Sequence, residues 1–295
     1  PIEKRHGIFD IWRSFALKIG MNLLLWSGNI TDEHLPLFAH LKALGFDGVE
    51  IPMFSPDDAQ LERLDKGLRD LDMTCTTTAI CSPETSPISS DSNIRAAAVD
   101  HLKRHVDWTK MVNGEILIGP FHSPIGKFSG AGRTTDEWKY GTETMRKVAE
   151  YALPAGIQLS TEPLNRFECY FLNTASDSNR FVAEVGMENF GYLYDTFHAN
   201  IEEKDIFQSI VNNANGINHV HISENDRGIP GTGHVNWVDT FRALKSIDYD
   251  GWLTIEAFGR ALPELAAATC IWRDLFGSEM EVVEKGIQFV RQSWS

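Results

Sequence analysis

Short apolar runs alternate with longer amphipathic segments along most of the chain. The runs are rich in β-branched residues and are bounded by Gly or Pro, which is typical of buried strands. Eight of them predict strands, at 18–26, 48–52, 73–80, 115–119, 158–162, 190–195, 218–221 and 252–256.

The segments between these runs carry apolar residues at helical spacing, as in Leu61, Leu64, Leu68 and Leu71. Similar stretches predict helices at 35–44, 98–111, 144–153, 178–185, 206–211 and 238–247. Several of them end at a Gly that leads directly into the next strand, a common helix stop. Eight strands that alternate with helices over about 270 residues predict an α/β fold of the (β/α)₈ TIM barrel type, because parallel neighbours need a crossover helix. A doubly wound open sheet is the alternative.

No linker or shift in composition divides the chain after the first strand begins. We therefore expect residues 18–295 to form a single TIM-barrel catalytic domain. Residues 1–17 fit no element and are expected to be an N-terminal extension of unknown role. Three long irregular stretches, 120–133, 163–173 and 223–236, each follow a predicted strand, which places them on the catalytic face of a barrel.

Composition and charge exclude several functions. The chain is 42% hydrophobic and 23% charged, as in an ordinary packed globule. Its 27 basic and 41 acidic residues give a net charge of −14, which repels nucleic-acid phosphates and anionic lipid headgroups, so we expect no nucleic-acid or membrane partner. Four cysteines without a Cys-x-x-Cys pair, and no apolar run of roughly 20 residues, favour a cytoplasmic protein. The sequence contains no glycine motif of the phosphate-binding type, so we expect no nucleotide cofactor.

Four consecutive predicted strands end in ionisable side chains: Glu162, Asp195, His221 and Glu256. The carboxyl ends of adjacent parallel strands lie about 4.8 Å apart, so these side chains should converge at the mouth of a barrel. Each acid alone could be a solvated strand-end residue or a helix cap, but three converging carboxylates repel one another unless a cation lies among them.

Three carboxylates and one imidazole form a hard ligand set. Such a set favours a divalent ion, with Mn²⁺ as the first choice and Co²⁺ or Mg²⁺ as alternatives. His219 shares the strand face of His221, so spacing alone does not choose between the two histidines, although His221 is nearer the mouth.

Three further residues lie just beyond these positions and could bind a polyol. They are Glu168, His198 and Arg227. Glu168 and Arg227 could equally form surface ion pairs of little energetic value, and His198 could be a core histidine with satisfied hydrogen bonds.

Three segments resemble the ketose 3-epimerases, a group that includes D-tagatose, D-psicose (allulose) and L-ribulose 3-epimerases within the xylose isomerase-like TIM barrel superfamily. They are EPLNRFE at 162–168, DTFHANIEE at 195–203 and HISENDR at 221–227. The likeness runs from about residue 18 to the C-terminus. One departure is Asn22, which stands where the family commonly has an aromatic residue over the sugar.

The resemblance implies roles for the site residues. Glu162, Asp195, His221 and Glu256 would bind the divalent ion, whereas Glu168, His198 and Arg227 would contact the O1 and O2 end of the sugar. The family is typically dimeric or tetrameric, so a homodimer or homotetramer is expected.

The expected function is metal-dependent epimerisation at C3 of a free ketose of the D-tagatose, D-fructose/D-allulose or L-ribulose type. Inversion beside a ketone requires removal of a proton from one face of the carbon and its return on the other. Glu162 and Glu256 would be the acid/base pair, acting through a cis-enediolate. The alternative is an aldose-ketose or hydroxypyruvate-type sugar isomerase on the same barrel. A nuclease of the superfamily would need more histidine ligands and a basic groove.

Overall fold

Eight parallel strands close into one barrel in the order of the sequence, in a computed structural model that describes residues 17–295. The strands are β1 (Lys18–Asn22), β2 (Gly48–Pro52), β3 (Thr74–Thr78), β4 (Ile116–Gly119), β5 (Gln158–Thr161), β6 (Phe190–Asp195), β7 (Ile217–Ile222) and β8 (Trp252–Ile255). β8 pairs in parallel with β1, which closes the sheet. The prediction of a TIM barrel is therefore confirmed, and the open doubly wound sheet is excluded.

Ten α-helices lie in the described part of the chain. They are α1 (Leu35–Leu44), α2 (Asp58–Asp70), α3 (Ser92–Met111), α4 (Thr135–Ala152), α5 (Ala175–Val185), α6 (Thr196–Glu202), α7 (Ile206–Asn212), α8 (Trp237–Ser246), α9 (Pro263–Ala268) and α10 (Glu279–Trp294). No helix within residues 17–295 combines the length and the apolar character needed to cross a bilayer.

Two helices begin well before their apolar periodicity does, because polar caps start them. The Thr134 hydroxyl accepts a hydrogen bond from the Glu137 backbone N–H at 3.1 Å, and the Glu137 carboxylate accepts one from the Thr134 N–H at 2.6 Å. This capping box begins α4. Asp91 caps α3, because its side chain accepts a hydrogen bond from the Asn93 N–H at 2.8 Å.

The first strand ends earlier than its apolar run. The Asn22 side chain accepts a hydrogen bond from the Leu24 N–H at 2.8 Å, and the chain turns into a 3₁₀ helix at Leu23–Leu25. The run predicted as strand 18–26 therefore contains a strand and a turn.

The apolar core lies between the strands and the surrounding helices. Met21, Val49 and Val220 pack there with Phe38 and Val290. The inside of the barrel combines buried polar side chains with a small apolar cluster of Ile116, Ile118, Leu193 and Trp252. His221 of β7 contacts Glu50 of β2, and because these strands are not neighbours, the contact crosses the barrel interior. Charged side chains are seldom fully buried in proteins, so this group inside the barrel is an uncommon feature.

The expected N-terminal extension, residues 1–17, falls almost entirely on residues 1–16, which lie outside the described residues. That extension and the single-domain organisation of residues 18–295 stay predictions.

Candidate functional site

The structure brings the four predicted strand-end residues together. Asp195 is the last residue of β6 and His221 lies in β7, while Glu162 and Glu256 directly follow β5 and β8. All four are buried, and one ligand atom from each lies within 4.8 Å of the others. They share one mouth of the barrel because parallel strands end on the same side.

The His221 ring directs one nitrogen at the three carboxylates. Its Nδ1 atom lies 3.4 Å from Glu256 Oε1, 3.5 Å from Asp195 Oδ2 and 3.9 Å from Glu162 Oε1. This buried Nδ1 has no hydrogen-bond partner among the residues that the structure describes. Buried polar atoms are normally paired, so an unpaired imidazole nitrogen facing three carboxylate oxygens fits a divalent cation.

Asp195 divides its two oxygens between the helix and the site. Its Oδ1 atom accepts hydrogen bonds from the backbone N–H groups of Phe197 at 2.6 Å and His198 at 3.1 Å, which caps α6. Its Oδ2 atom faces His221. Asp195 therefore caps α6 with one oxygen and lies in the site with the other.

The two histidines of β7 are now distinguished. His219 lies one side-chain layer deeper in the barrel, with its Nε2 atom 3.0 Å from Glu50 Oε2. Only His221 belongs to the group with Glu162, Asp195 and Glu256. Spacing alone did not distinguish His219 from His221, and the structure places His221, the histidine nearer the mouth, in the four-residue group.

Arg227 enters the same group from the loop after β7. Its Nη1 atom donates to Glu256 Oε2 at 2.7 Å and to Asp195 Oδ2 at 3.3 Å, and its guanidinium lies 3.7 Å from the centre of the Phe197 ring. The residue is buried and has φ of 66°, a left-handed conformation that costs a non-glycine residue about 1–3 kcal/mol. The alternative of a solvated surface ion pair is wrong for Arg227.

His198 presents a proton to the site. Its Nδ1 atom accepts a hydrogen bond from the Asn165 backbone N–H at 3.0 Å, so in the neutral ring the proton is on Nε2. That Nε2 atom lies 3.1 Å from Arg227 Nη2 and 3.7 Å from Glu162 Oε1. Burial and the charge of Arg227 lower the pKa of His198 to about 3. Because both Nε2 and Nη2 carry protons, they do not bond to each other and are both available to one oxygen acceptor.

Glu168 lies at the edge of this site. It is half-buried, and its Oε1 atom accepts a hydrogen bond from the Asn165 side chain at 2.8 Å. Asn165 therefore joins it to His198, while Glu168 itself stays outside the four-residue group.

The loop that carries Arg227 is organised by one buried carboxylate. Glu224 accepts hydrogen bonds from the backbone N–H groups of Asn225, Gly231 and Val235 at 2.8–3.1 Å, and from the Trp237 indole at 3.0 Å. Burial raises the pKa of Glu224, but these donors outweigh it and lower the value below its usual range. The glycine-rich run at 228–233 is thus a structured loop within the irregular stretch predicted at 223–236.

The carboxylates differ in their electrostatic surroundings. Burial, together with the charge of Glu256, raises the pKa of Glu162 well above its ordinary value. Burial also raises the pKa of Asp195, but the charge of Arg227 outweighs it and holds that pKa below the usual range. For His221, burial lowers the pKa, but the charges of Glu50 and Glu256 reverse the effect and raise it.

Sequence reasoning assigned no role to several residues of this site, chiefly Glu50, Asn165 and His122. A charged residue within the apolar run 48–52 was the available signal for Glu50. His122 is buried, and its Nε2–H donates to the Glu162 carbonyl at 2.8 Å. Asn22, expected at an aromatic position over the sugar, is buried inside the barrel and donates to Glu256 at 3.2 Å.

Comparison with known proteins identifies the family. The family model described as xylose isomerase-like TIM barrel matches residues 38–292. The L-ribulose 3-epimerase of Mesorhizobium japonicum is 33% identical over 277 residues, covering 92% of this chain and 93% of that protein. A probable ketose 3-epimerase of Synechocystis is 30% identical over 278 residues, covering 94% and 97%. A crystal structure of D-allulose 3-epimerase from Methylomonas matches with a TM-score of 0.88 at 29% identity, covering 94% and 98%.

The chain therefore belongs to the xylose isomerase-like TIM barrel family, among the ketose 3-epimerases, and is an enzyme of the isomerase class. The resemblance predicted from the three sequence segments is confirmed.

Proposed function

We propose that this enzyme epimerises a free ketose at C3 in a metal-dependent reaction. The observation that carries the proposal is the placement of Glu162 and Glu256, two buried carboxylates from the ends of non-adjacent strands, at 3.9 Å and 3.4 Å from the Nδ1 atom of His221. Two carboxylates that approach one carbon from different directions suit a reaction that exchanges a proton between two faces. Relatives support the substrate class, since a D-allulose 3-epimerase of Methylomonas was solved with D-allulose and a D-psicose 3-epimerase with D-tagatose.

The four-residue group would hold the ion. Glu162, Asp195, His221 and Glu256 supply three carboxylates and one imidazole nitrogen, and we propose Mn²⁺, with Co²⁺ or Mg²⁺ as alternatives. When bound, such an ion polarises the carbonyl group and stabilises the negative charge that develops on it.

The two glutamates would transfer the proton. One carboxylate takes the proton from C3, the electron pair of the C–H bond moves toward the C2 carbonyl, and an enediolate results. The other glutamate, protonated, returns a proton to the opposite face of C3, and the two exchange roles for the reverse reaction. Arg227 holds Glu256 through its Oε2 atom, which leaves Oε1 directed at the site.

His198, Arg227 and Glu168 would hold the O1 and O2 end of the sugar. The N–H groups of His198 Nε2 and Arg227 Nη2 converge within 3.1 Å, as needed for a shared carbonyl oxygen. Glu168 at the edge offers an acceptor for a hydroxyl group. A buried, neutral His198 donates without adding a positive charge beside Arg227.

Product analysis in D₂O tests the proposal. The Mn²⁺-loaded protein is incubated with D-fructose, D-tagatose or L-ribulose, and products are separated by chromatography and examined by NMR. We expect the C3 epimer, with deuterium at C3, because the returned proton comes from an exchangeable carboxylic acid. An aldose product with label at C1 or C2 would instead identify an aldose-ketose or hydroxypyruvate-type isomerase.

A homodimeric or homotetrameric assembly and a cytoplasmic location remain predictions from the sequence. Light scattering coupled to size-exclusion chromatography measures the first.

A further inference from the structure

We propose that Glu50 is a positioning residue that fixes the orientation of His221 from the opposite side of the barrel. The inference rests on the proposed metal site and adds a residue to it. Glu50 lies in the middle of β2, with none of its surface exposed, and reaches His221 of β7 across the barrel interior. An acid so deep in a barrel needs partners for its charge.

Four polar groups surround the Glu50 carboxylate. Its Oε1 atom accepts hydrogen bonds from His221 Nε2 at 2.8 Å and from the Asn22 side chain at 2.9 Å. Its Oε2 atom accepts from the Thr76 hydroxyl at 2.8 Å and lies 3.0 Å from His219 Nε2. The Oε1 atom therefore has two hydrogen-bond donors and the Oε2 atom has one, with His219 Nε2 close beside it, so the carboxylate is held in one place.

The contact with Glu50 decides which nitrogen of His221 faces the mouth. An ionised carboxylate only accepts hydrogen bonds, so His221 Nε2 carries the proton that it donates. The lone pair of the neutral ring is then on Nδ1, the atom that faces Asp195, Glu162 and Glu256. A carboxylate behind a metal-binding imidazole fixes its tautomer and raises its basicity.

Asn22 connects the same carboxylate to Glu256. Its amide nitrogen lies 2.9 Å from Glu50 Oε1 and 3.2 Å from Glu256 Oε1. One amide group thus aligns the positioning residue with one of the two proposed acid/base residues.

A second cation site is the competing explanation, because Glu50, His219 and His221 also place ligand atoms within 4.8 Å of one another. The surroundings of Glu50 disfavour it. Asn22 and Thr76 already donate to the two carboxylate oxygens, and His221 Nε2 is within hydrogen-bond distance of one of them. We therefore assign these contacts to a hydrogen-bond network.

Metal binding by Glu50→Gln tests the assignment. The glutamine keeps the shape and loses the charge, so we expect the Kd for Mn²⁺, measured by titration calorimetry without sugar, to rise about 10- to 100-fold. In the Zn²⁺-loaded wild-type protein, ¹⁵N NMR should show the His221 proton on Nε2, and that signal should be lost or shifted in the variant. Wild-type protein should bind one Mn²⁺ per chain.

Thr254→Val is the matched control. Thr254 is buried at the position paired with His221 in β8, and its hydroxyl has no hydrogen-bond partner among residues 17–295. The Kd of the Thr254→Val variant for Mn²⁺ should stay within about twofold of the wild-type value.

Three results would overturn the inference: a wild-type Kd in folded Glu50→Gln, an unchanged His221 signal, or two Mn²⁺ per wild-type chain. If Glu50→Gln does not fold, Thr76→Val removes one donor and keeps the carboxylate. We expect that variant to bind Mn²⁺ about threefold or more weakly, and equal binding would contradict the inference. Since binding is measured without sugar, an absence of epimerase activity would reject the proposed function and leave this result standing.

Discussion

Arg227 donates to the Oε2 atom of Glu256 at 2.7 Å, while the Oε1 atom of the same carboxylate faces His221 Nδ1 at 3.4 Å. One oxygen of Glu256 is thus bound by a fixed cation, and the other is directed at the site. Among residues 17–295, no arginine or lysine pairs with Glu162, which lies 3.7 Å from His198 Nε2. The two proposed acid/base residues therefore have different surroundings, as a reaction with two distinct proton-transfer steps requires.

Replacing either glutamate should stop the reaction. Glu162→Gln and Glu256→Gln each keep the side-chain shape and one metal-binding oxygen but remove the base, so each change alone should nearly eliminate epimerisation. Affinity for Mn²⁺, measured by calorimetry, should fall less than activity. An isomerase that works through one base would retain most activity in one of the two variants, and that result would contradict the pair.

The contacts at the O1 and O2 end should be visible in kinetics. Arg227→Ala and His198→Ala should each lower kcat/KM by an amount that corresponds to about 2–4 kcal/mol of activation free energy, with Mn²⁺ still bound. The reason is that each change removes a donor to developing negative charge. Arg260→Ala is a control, since Arg260 is an exposed residue that pairs with Asp274 beyond β8. Near-normal kinetics in both test variants would remove these residues from the site.

Removal of the metal should affect activity and stability together. Treatment with a chelator should abolish turnover and lower the Tm, because an ion that binds only the folded chain stabilises it. Addition of Mn²⁺ or Co²⁺ should restore both, as measured by activity assay and thermal unfolding. Full activity in thoroughly demetallated protein would exclude the proposed role of the ion.

Stability should decrease in mild acid because of His122. Burial lowers the pKa of His122 to about 4, against 6.5 in an unfolded chain. Between these pH values the unfolded chain binds a proton that the folded chain does not, so stability is greatest above about 6.5 and falls by up to about 3 kcal/mol as the pH drops to 4. His105, with its pKa lowered by burial to about 4, adds to the same trend.

Urea unfolding of metal-free protein at pH 7 and pH 5 measures this effect. His122→Gln should reduce the difference between the two free energies of unfolding, whereas His40→Gln, at an exposed position of α1, should leave it unchanged. An equal pH dependence in wild type and His122→Gln would show that His122 does not contribute.

The loop that carries Arg227 should depend on Glu224. In Glu224→Gln one acceptor oxygen becomes an NH₂ group that faces backbone N–H donors, so we expect a loss of about 2–4 kcal/mol in the free energy of unfolding and a lower kcat/KM. Trp237→Phe removes only one donor to the carboxylate and should cost less. If Glu224→Gln unfolds at the wild-type urea concentration, the carboxylate does not organise the loop.

The sequence predicts this site where local pattern is sufficient. Glu162, Asp195 and Glu256 were recognisable because apolar runs end beside them, and parallel strands bring their ends to one mouth. Glu50 was not, because its contact with His221 joins strands on opposite sides of the barrel and exists only after closure. The left-handed backbone of Arg227 likewise depends on the loop around it, and the spacing of apolar residues in the sequence does not indicate it.

The bridge from Asn22 to Glu256 also has a consequence for the order of assembly. These residues are 234 positions apart, at the ends of β1 and β8, the strands that close the barrel. During synthesis on the ribosome, β1 emerges long before Glu256, so a nascent chain that lacks β8 has neither the closing strand nor the fourth proposed ligand. The full set of proposed ligands therefore forms only after β8 has emerged and paired with β1, which links acquisition of the proposed ion to closure of the barrel.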